Sequence, residues 1–335
     1  MEKFHRILTH LSYFRRVGVQ LLNIRNLRYF HLIFKGYTPN KGYYFDFKKY
    51  GYNSYVKDTT RYLKTVFYNY NNRDMMDDKY ACYLFLKEYS SRPAPVYALI
   101  ENGICHFTKP VTSLTKLLET GQKFVIKPRK GRGGEGVKVL EARDGRFYFG
   151  NREFSSFHDC FTGVNNHVLN PYIDQHSYAS SIYPNSLNTI RLLTAVLDGR
   201  VILMKAGHRF GAEHTGVVDN FSQGGIFANI DLETGLLERP TIWNQKDYRT
   251  EQMDHHPSTH ATITGVAVPR WQEIVSEMLD LHQSILFIKY VGWDIAVTAD
   301  GFYIIEANYA SDLIGLQLHT PLLINDDHKK FFSKN

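Results

Sequence analysis

Residues 291–308, VGWDIAVTADGFYIIEAN, place three oxygen-bearing side chains, Asp294, Glu306 and Asn308, inside an otherwise apolar run. Two stretches of β-branched and aromatic residues, 295–298 and 302–305, flank Asp300-Gly301, so strand and turn signals coincide and predict a β-hairpin. The length of its turn decides where the acids point. A two-residue Asp-Gly turn pairs Ala299 with Phe302 and sends Asp294 and Glu306 to opposite faces. A three-residue loop, Ala299-Asp300-Gly301 with Gly301 left-handed, sets Asp294 directly across from Glu306, and Asn308 joins them by the period of two. Two carboxylates buried side by side need a cation between them. Oxygen ligands of this kind suit magnesium, which at two carboxylates normally carries nucleotide phosphates. Asp294 belongs to the set only with the three-residue loop; a two-residue turn would remove it. The rival is a solvated edge hairpin whose acids are there by chance.

With 335 residues, 43% of them hydrophobic, the chain can bury one large core or two to three modest ones without disulfides. Its three cysteines, Cys82, Cys105 and Cys160, share no metal-type spacing and read as ordinary thiols of a reducing compartment. No apolar run approaches the length of a membrane span and no leader pattern opens the chain, so a cytoplasmic protein is expected. The net charge of +7 is uneven. From residue 3 to residue 44 there are eight basic residues (Lys3, Arg6, Arg15, Arg16, Arg25, Arg28, Lys35, Lys41) and no acid. Such a segment suits peripheral contact with anionic lipid or a phosphorylated glycan carrier. The preferred alternative is a basic helical face whose apolar side packs on the domain.

Residues 4–34 carry apolar spacings that predict helices broken near Gly18. A tyrosine-dense stretch, 37–70, suits ring stacking on sugars or bases but more simply amphipathic packing. A helix is predicted from about Asp77, as its cap, to Tyr89. Lys79 in its first turn is electrostatically misplaced and implies solvation or a nearby anion. Then come a hairpin around Asn102-Gly103, a helix over 112–119, and Phe124-Val125-Ile126-Lys127-Pro128, a buried strand ending in lysine. The loop after it, 129–136, holds four glycines and three basic residues, Arg129, Lys130 and Arg132. Its backbone N–H groups and cations can wrap phosphates, although it is neither a Walker pattern nor a GxGxxG. Hairpins follow around Asp144-Gly145 and Asp198-Gly199, the second carrying Arg191 and Lys205, with Arg209 in a loop beyond. Strand 226–230 is expected to pair with a segment just past Gly235. Asp254, His255, His256 and His260 suggest zinc only weakly, lacking a fourth close ligand, and read better as a surface or substrate loop. Pro269 opens an amphipathic helix that should cover the sheet ending in the hairpin at 291–308.

Asp78-Lys79, residues 124–136, Ser186-Leu187-Asn188-Thr189-Ile190-Arg191, residues 219–225, His256-Pro257, Gly292-Trp293-Asp294 and Glu306-Ala307-Asn308 together resemble the ATP-grasp superfamily, and more narrowly its sugar-transfer-associated branch. The resemblance covers about residues 75–320. It implies an α+β fold in which two subdomains clamp ATP, divided as a helical basic region 1–75, an entry part 76–120, a glycine-loop lid 121–173 and a C-terminal subdomain 174–335. Carried over residue by residue, Lys79 and Lys127 would touch the phosphates, with Arg129, Gly133, Gly134 and Gly136 in the lid. Asp294, Glu306 and Asn308 would hold magnesium, as two ions that manganese can replace. Arg191, Arg209 and Lys205 would serve the phosphate and acceptor end. At the hinge, where many relatives place a glutamate, this chain offers Asn170, leaving adenine and ribose to Asn170, Tyr172, Ile173 and Asp174. Past Asn308, where some relatives bring an arginine, it has Tyr309-Ala310-Ser311. The implied activity is carboxylate activation by ATP and capture by an amine, in cell-surface polysaccharide synthesis. The substrates would be small carboxylates and amines, free or linked to sugar or lipid, and not nucleic acid. Rival readings are a sugar or polyol kinase using His208, His214 or Asp219 as base, a non-catalytic nucleotide-binding scaffold, and a nucleic-acid binder.

Overall fold

The structure, a computed structural model, describes residues 2–108, 111–119, 121–131, 133–244 and 249–334; Arg132 of the glycine loop lies outside them. A helix over Glu2–Leu21 runs straight through Gly18, at which no neighbour comes close, so the expected break is absent there. The chain turns instead at Asn23, whose side chain accepts from Arg25 N and starts a 3₁₀ segment, Ile24–Lys35. Among the described residues no helix is long and apolar enough to cross a membrane. The tyrosine-dense stretch packs largely on itself: Leu32, Tyr37, Phe45 and Tyr55 are buried together, with Phe45 and Tyr55 stacked at 4.4 Å.

Two seven-stranded antiparallel sheets follow. The first contains β1 (Ala98–Glu101), β2 (Ile104–Phe107), β3 (Phe124–Pro128), β4 (Lys138–Arg143), β5 (Arg146–Phe149), β6 (Arg152–Phe154) and β7 (His167–Pro171), in the order β2-β1-β7-β3-β4-β5-β6. The second contains β8 (Ile190–Leu197), β9 (Arg200–Phe210), β10 (Ile226–Asn229), β11 (Thr241–Asn244), β12 (Arg249–Gln252), β13 (Tyr290–Thr298) and β14 (Gly301–Asn308), in the order β12-β11-β10-β9-β8-β13-β14. Three hairpins turn where the sequence predicts, because Asn102-Gly103, Asp144-Gly145 and Asp198-Gly199 each hold two successive positive φ angles, the conformation that matches strand twist. β10 pairs along its length with β9 and β11, and its end meets the segment past Gly235 as expected, through the bridge Ile230 to Leu237 and the bonds from Glu238 N to Asn229 O at 2.8 Å and from Asp231 N to Leu236 O at 2.9 Å. Arg209 departs from expectation: it sits in β9, not in a loop.

The β13–β14 hairpin corrects one expectation and keeps its consequence. Thr298 pairs with Gly301, so the turn has two residues, Ala299 and Asp300, and the three-residue loop is not formed. Carried on unchanged, that register would put Ile305 opposite Asp294. A β-bulge at Ile305 adds one residue to β14, and Asp294 pairs with Glu306 after all. The slip is enforced by burial. Trp293, Ile295, Val297, Phe302, Ile304 and Ala307 pack in one core cluster with Ile190 and Leu192 of β8, beneath the helix Trp271–Ser284. Without the bulge, Ala307 would turn to the other face. The helix donates Trp271, Ile274, Met278 and Leu281 to that core and covers the sheet as its pattern predicts.

Candidate active site

The sheet face away from that helix looks across a cleft of about 1180 Å³ at the first sheet. Asp294 and Arg191 are cross-strand partners on β13 and β8, and Arg209 projects from β9 on the same side. Arg191 Nε donates to Asp294 Oδ1 at 2.6 Å and its Nη2 to Oδ2 at 3.2 Å; Arg209 Nη2 lies 3.1 Å from Oδ2. Burial alone would raise the Asp294 pKa, but the two guanidinium groups outweigh it and hold the carboxyl below its ordinary value. Asp219 accepts from Thr189 N at 2.8 Å and Thr189 Oγ1 at 2.5 Å and sits 3.5 Å from Arg209, completing a buried charge cluster at the floor.

Glu306 stands one strand over. Lys79 Nζ meets its Oε1 at 3.2 Å and donates to Gly131 O at 2.9 Å, while Lys79 N donates to Arg129 O at 2.9 Å. The anion implied by a lysine in a first helical turn is therefore Glu306. The cap of that helix is Asp78, not Asp77: its Oδ1 accepts from Tyr80 N and Ala81 N at 3.1 and 3.2 Å, and the helix ends at Leu86. Lys127, at the end of β3, also lines the cleft. Burial pushes its pKa down to about 8, with Glu306 pulling up and Lys79 pushing down. It is a recessed ammonium whose charge Glu306 supports in part.

The lid glycines are placed by close contacts. Gln223 Nε2 donates to Gly133 O at 3.1 Å, and a Cβ on Gly134, whose φ is +76°, would fall 2.3 Å from Val218 Cγ1. The loop therefore rests on the 216–225 turn and closes the cleft from one side. Gly136 is needed for a different approach, with Pro128 2.9 Å from its would-be Cβ, and does not line the cleft. Arg129 is also turned away: its guanidinium pairs with Asp78 at 2.6 Å and Glu101 at 3.2 Å, tying the lid to the capped helix. At the hinge, Asn170, Tyr172 and Ile173 line the cleft and Asp174 does not. Asn170 Nδ2 donates to Pro95 O at 2.7 Å, leaving its buried Oδ1 without a partner.

Lys205 is not brought to the cleft. It shares a sheet face with Arg209, but lies four residues, roughly 13 Å of strand, further along β9, where its Nζ donates to Thr320 Oγ1 at 3.3 Å. Among the described residues no group of three or more His, Cys, Asp or Glu is arranged to hold a metal; His256 is buried with Nε2 2.9 Å from Gly211 O. Among the lining residues to which no motif pointed are Tyr44 and Arg61, from the region before the sheets. Arg61 Nε donates to Ser311 O at 3.3 Å and its Nη2 lies 3.5 Å from Asp312. Neither stands in a motif, and only long-range packing brings them there.

For a magnesium ion the donor set is oxygen-rich and shares one face. Asp294 has both oxygens bonded to arginine, and Asn308 Nδ2 donates to Gly292 O at 3.2 Å and, weakly, to Asp294. Glu306 meets Lys79 through Oε1 and Asn308 donates through Nδ2, and among the described residues no hydrogen bond forms to Glu306 Oε2 or Asn308 Oδ1. The residues fit such an ion through Glu306 and Asn308, with Asp294 beside them.

Two antiparallel sheets closing on a cleft with lysines above, carboxylates below and a glycine loop at its mouth define the ATP-grasp class of fold. The family described as sugar-transfer associated ATP-grasp matches residues 58–326, and the chain belongs to it. A search of curated proteins finds no match. Solved structures that it resembles include the ATP-grasp ligase PsnB complexed with a phosphomimetic variant of minimal precursor, Mg and ADP (13% identity, 79% of this chain and 60% of that one, TM-score 0.41). Others are D-alanine–D-alanine ligase from Bacillus anthracis (14%, 78% and 68%, 0.41) and N5-carboxyaminoimidazole synthetase from Staphylococcus aureus complexed with ADP (12%, 71% and 46%, 0.39). The chain thus spans less than two thirds of the length of the first of these.

Proposed function

We propose that the chain is an ATP- and magnesium-dependent ligase that activates a carboxylate and joins it to an amine. The observation that carries this reading is the convergence of Lys127, Lys79, Glu306 and Asn308 at one end of the cleft beneath the glycine loop. A substrate carboxylate oxygen attacks the γ-phosphorus of ATP, the bond to the β-phosphate oxygen breaks, and ADP leaves. The amine nitrogen then attacks the acyl carbon, phosphate departs, and the nitrogen loses its proton to the departing phosphate or to solvent. Such transfer needs positioning and charge neutralisation more than a protein nucleophile. Lys127 and Lys79 supply positive charge at the phosphates. Arg191 and Arg209, held rigidly by Asp294 and Asp219, supply it where the acyl oxygen becomes negative. The lid on 216–225 keeps water from the acyl phosphate. Magnesium, held by Glu306 and Asn308, would neutralise phosphate charge.

A kinase needs a base open to the acceptor hydroxyl, and the candidates are otherwise engaged. His208 is buried, its Nε2 2.6 Å from Tyr178 Oη and its Nδ1 3.0 Å from Arg209 O, and burial pushes its pKa down to about 3. Asp219 is held by Thr189 and Arg209, and His214 does not line the cleft. These facts favour the ligase. The role in cell-surface polysaccharide synthesis, with a sugar- or lipid-linked substrate and peripheral contact with the inner membrane face through residues 3–44, rests on the family and on the basic N-terminal charge. An ADP-release screen of the purified protein, crossing amino acids with uronic acids and nucleotide sugars, tests the reading. Release that needs both a carboxylate and an amine is expected. Release with a hydroxyl acceptor alone would make it a kinase, and no release with any pair a scaffold.

A further inference from the structure

Residues 9–35 do not pack as their sequence suggests. Tyr13 and Val17 of the first helix are buried, but Leu11, Phe14, Val19 and Leu22, an arc on its other side, are exposed. The 3₁₀ segment kinks at Tyr29, on either side of which residues three apart eclipse one another, and exposure divides it into three ridges. Asn26, Tyr29 and Leu32 face inward. Ile24, Leu27 and Phe30 form an outward apolar ridge, and Arg25, Arg28 and His31, continued by Phe34, form an outward basic ridge beside it. Leu22 keeps 85% of its surface in water, Ile24 79% and Phe34 78%. Over half of the large exposed apolar residues in the described chain lie between positions 11 and 34, against the rule that such patches are rare on a monomer's surface. The expectation that the apolar side packs on the domain is met by Tyr13, Val17 and the inward ridge, and not by the exposed arc and ridge.

We propose that this double ridge, Leu11–Leu22 and Ile24–Phe34, lies on an anionic lipid surface, with Leu22, Ile24, Leu27, Phe30 and Phe34 in the interface and Arg15, Arg16, Arg25, Arg28 and Lys35 against the headgroups. The proposal deepens the peripheral membrane contact of residues 3–44 and is independent of the ligase chemistry. Charge complementarity selects the occupant: five exposed basic residues, Arg15, Arg16, Arg25, Arg28 and Lys35, with no acid between positions 3 and 44, repel a second copy of the same face and attract an anionic bilayer, whereas Lys41 is buried against Asp58. The surface is fixed to the catalytic body. Tyr43 Oη donates to Arg25 O at 2.7 Å, and the neighbouring Tyr44 lines the cleft and packs on Trp243 at 4.8 Å. Val56 N donates to Gln317 Oε1 at 2.8 Å and Asn69 Nδ2 to Tyr290 O of β13 at 2.5 Å, which ties residues 56–69 to the second sheet and to the 3₁₀ turn Gly315–Gln317 beyond it. Docking therefore holds the Tyr44–Arg61 end of the cleft close to the lipid, where a lipid-linked acceptor would be met.

The test is flotation of the full chain with vesicles of phosphatidylcholine alone or mixed with phosphatidylglycerol. The wild type is expected to bind the mixed vesicles, to bind phosphatidylcholine poorly, and to lose binding as salt rises. Leu22→Ser/Ile24→Ser/Leu27→Ser should lower the partition coefficient at least tenfold, on the order of the apolar surface withdrawn, and Arg25→Gln/Arg28→Gln should flatten the salt dependence. All five sites are exposed, and an unchanged thermal melt and ADP-induced melting shift confirm that the variants fold. Equal binding by the triple serine variant, or no binding by the wild type at low salt, would overturn the proposal. So would a wild-type dimer that the triple variant dissociates, because the face would then serve a second copy. Loss of the ADP shift in every form, with vesicle binding intact, would count against the ligase reading alone.

Discussion

Lys127 supplies a quantitative test of the nucleotide site. Burial lowers its pKa from 10.5 to about 8. A polyphosphate beside it reverses that cause by placing negative charge at the ammonium. If binding restores the ordinary value, the lysine at pH 9 passes from roughly one tenth protonated to nearly full, and each ADP bound takes up about 0.9 proton. At pH 7 the same calculation gives about 0.1. The sign is fixed: the bound state holds more protons, so affinity must fall as pH rises through 8, approaching a factor of about ten per unit by pH 9. Calorimetric titration with ADP in buffers of different ionisation heat, with EDTA present so that no metal contributes, measures the uptake directly. Lys127→Met should abolish it and Lys127→Arg should keep affinity level across the same range. Uptake below about 0.2 proton at pH 9, or undiminished uptake in Lys127→Met, would refute the placement of Lys127 at the phosphates.

Asp294→Asn leaves Arg191 and Arg209 facing each other with one neutralising charge fewer, and should lower unfolding free energy in urea by about 3 kcal/mol. Arg209→Met in that background should recover part of the loss, and a cost below about 1 kcal/mol would mean that Asp294 is not the keystone of the floor. Gly134→Ala combines a strained positive φ with a Cβ aimed at Val218 and should weaken ADP binding severalfold while changing the melting temperature little. Val218→Ala should restore much of it, whereas no effect of Gly134→Ala would deny the lid contact. Lys205→Ala should leave ADP affinity within about threefold of wild type, a difference of under 1 kcal/mol, because that lysine is on Thr320 and out of the cleft; a large loss would return it to the site.

The legible parts of the molecule are those governed by neighbouring residues. Asn102-Gly103, Asp144-Gly145 and Asp198-Gly199 turn as expected because only residues tolerant of positive φ can make such turns. Lys127 after a buried strand, the glycine loop and the acid-bearing hairpin are visible for the same reason. Asp77 and Asp78 show the limit, since adjacent acids are equally good caps in sequence and the choice falls to the one that also meets Arg129, 51 residues away.

Local pattern in residues 291–308 is enough to give a hairpin with acids on an otherwise apolar ribbon, and to require positive charge beside the buried Asp294 and the partly buried Glu306. The tertiary structure decided how the acids share a face and which cations they meet. The turn is shorter than expected, and the bulge at Ile305 restores the register because Trp293, Ala307 and Ile304 must all reach the core under the helix Trp271–Ser284. Asp294 is neutralised by Arg191 and Arg209, and Glu306 by Lys79, from strands and a helix far away in sequence. Turn chemistry acts over a few residues, but register and charge pairing in a sheet follow from burial and Coulomb energy summed over the whole fold, which no local stretch contains.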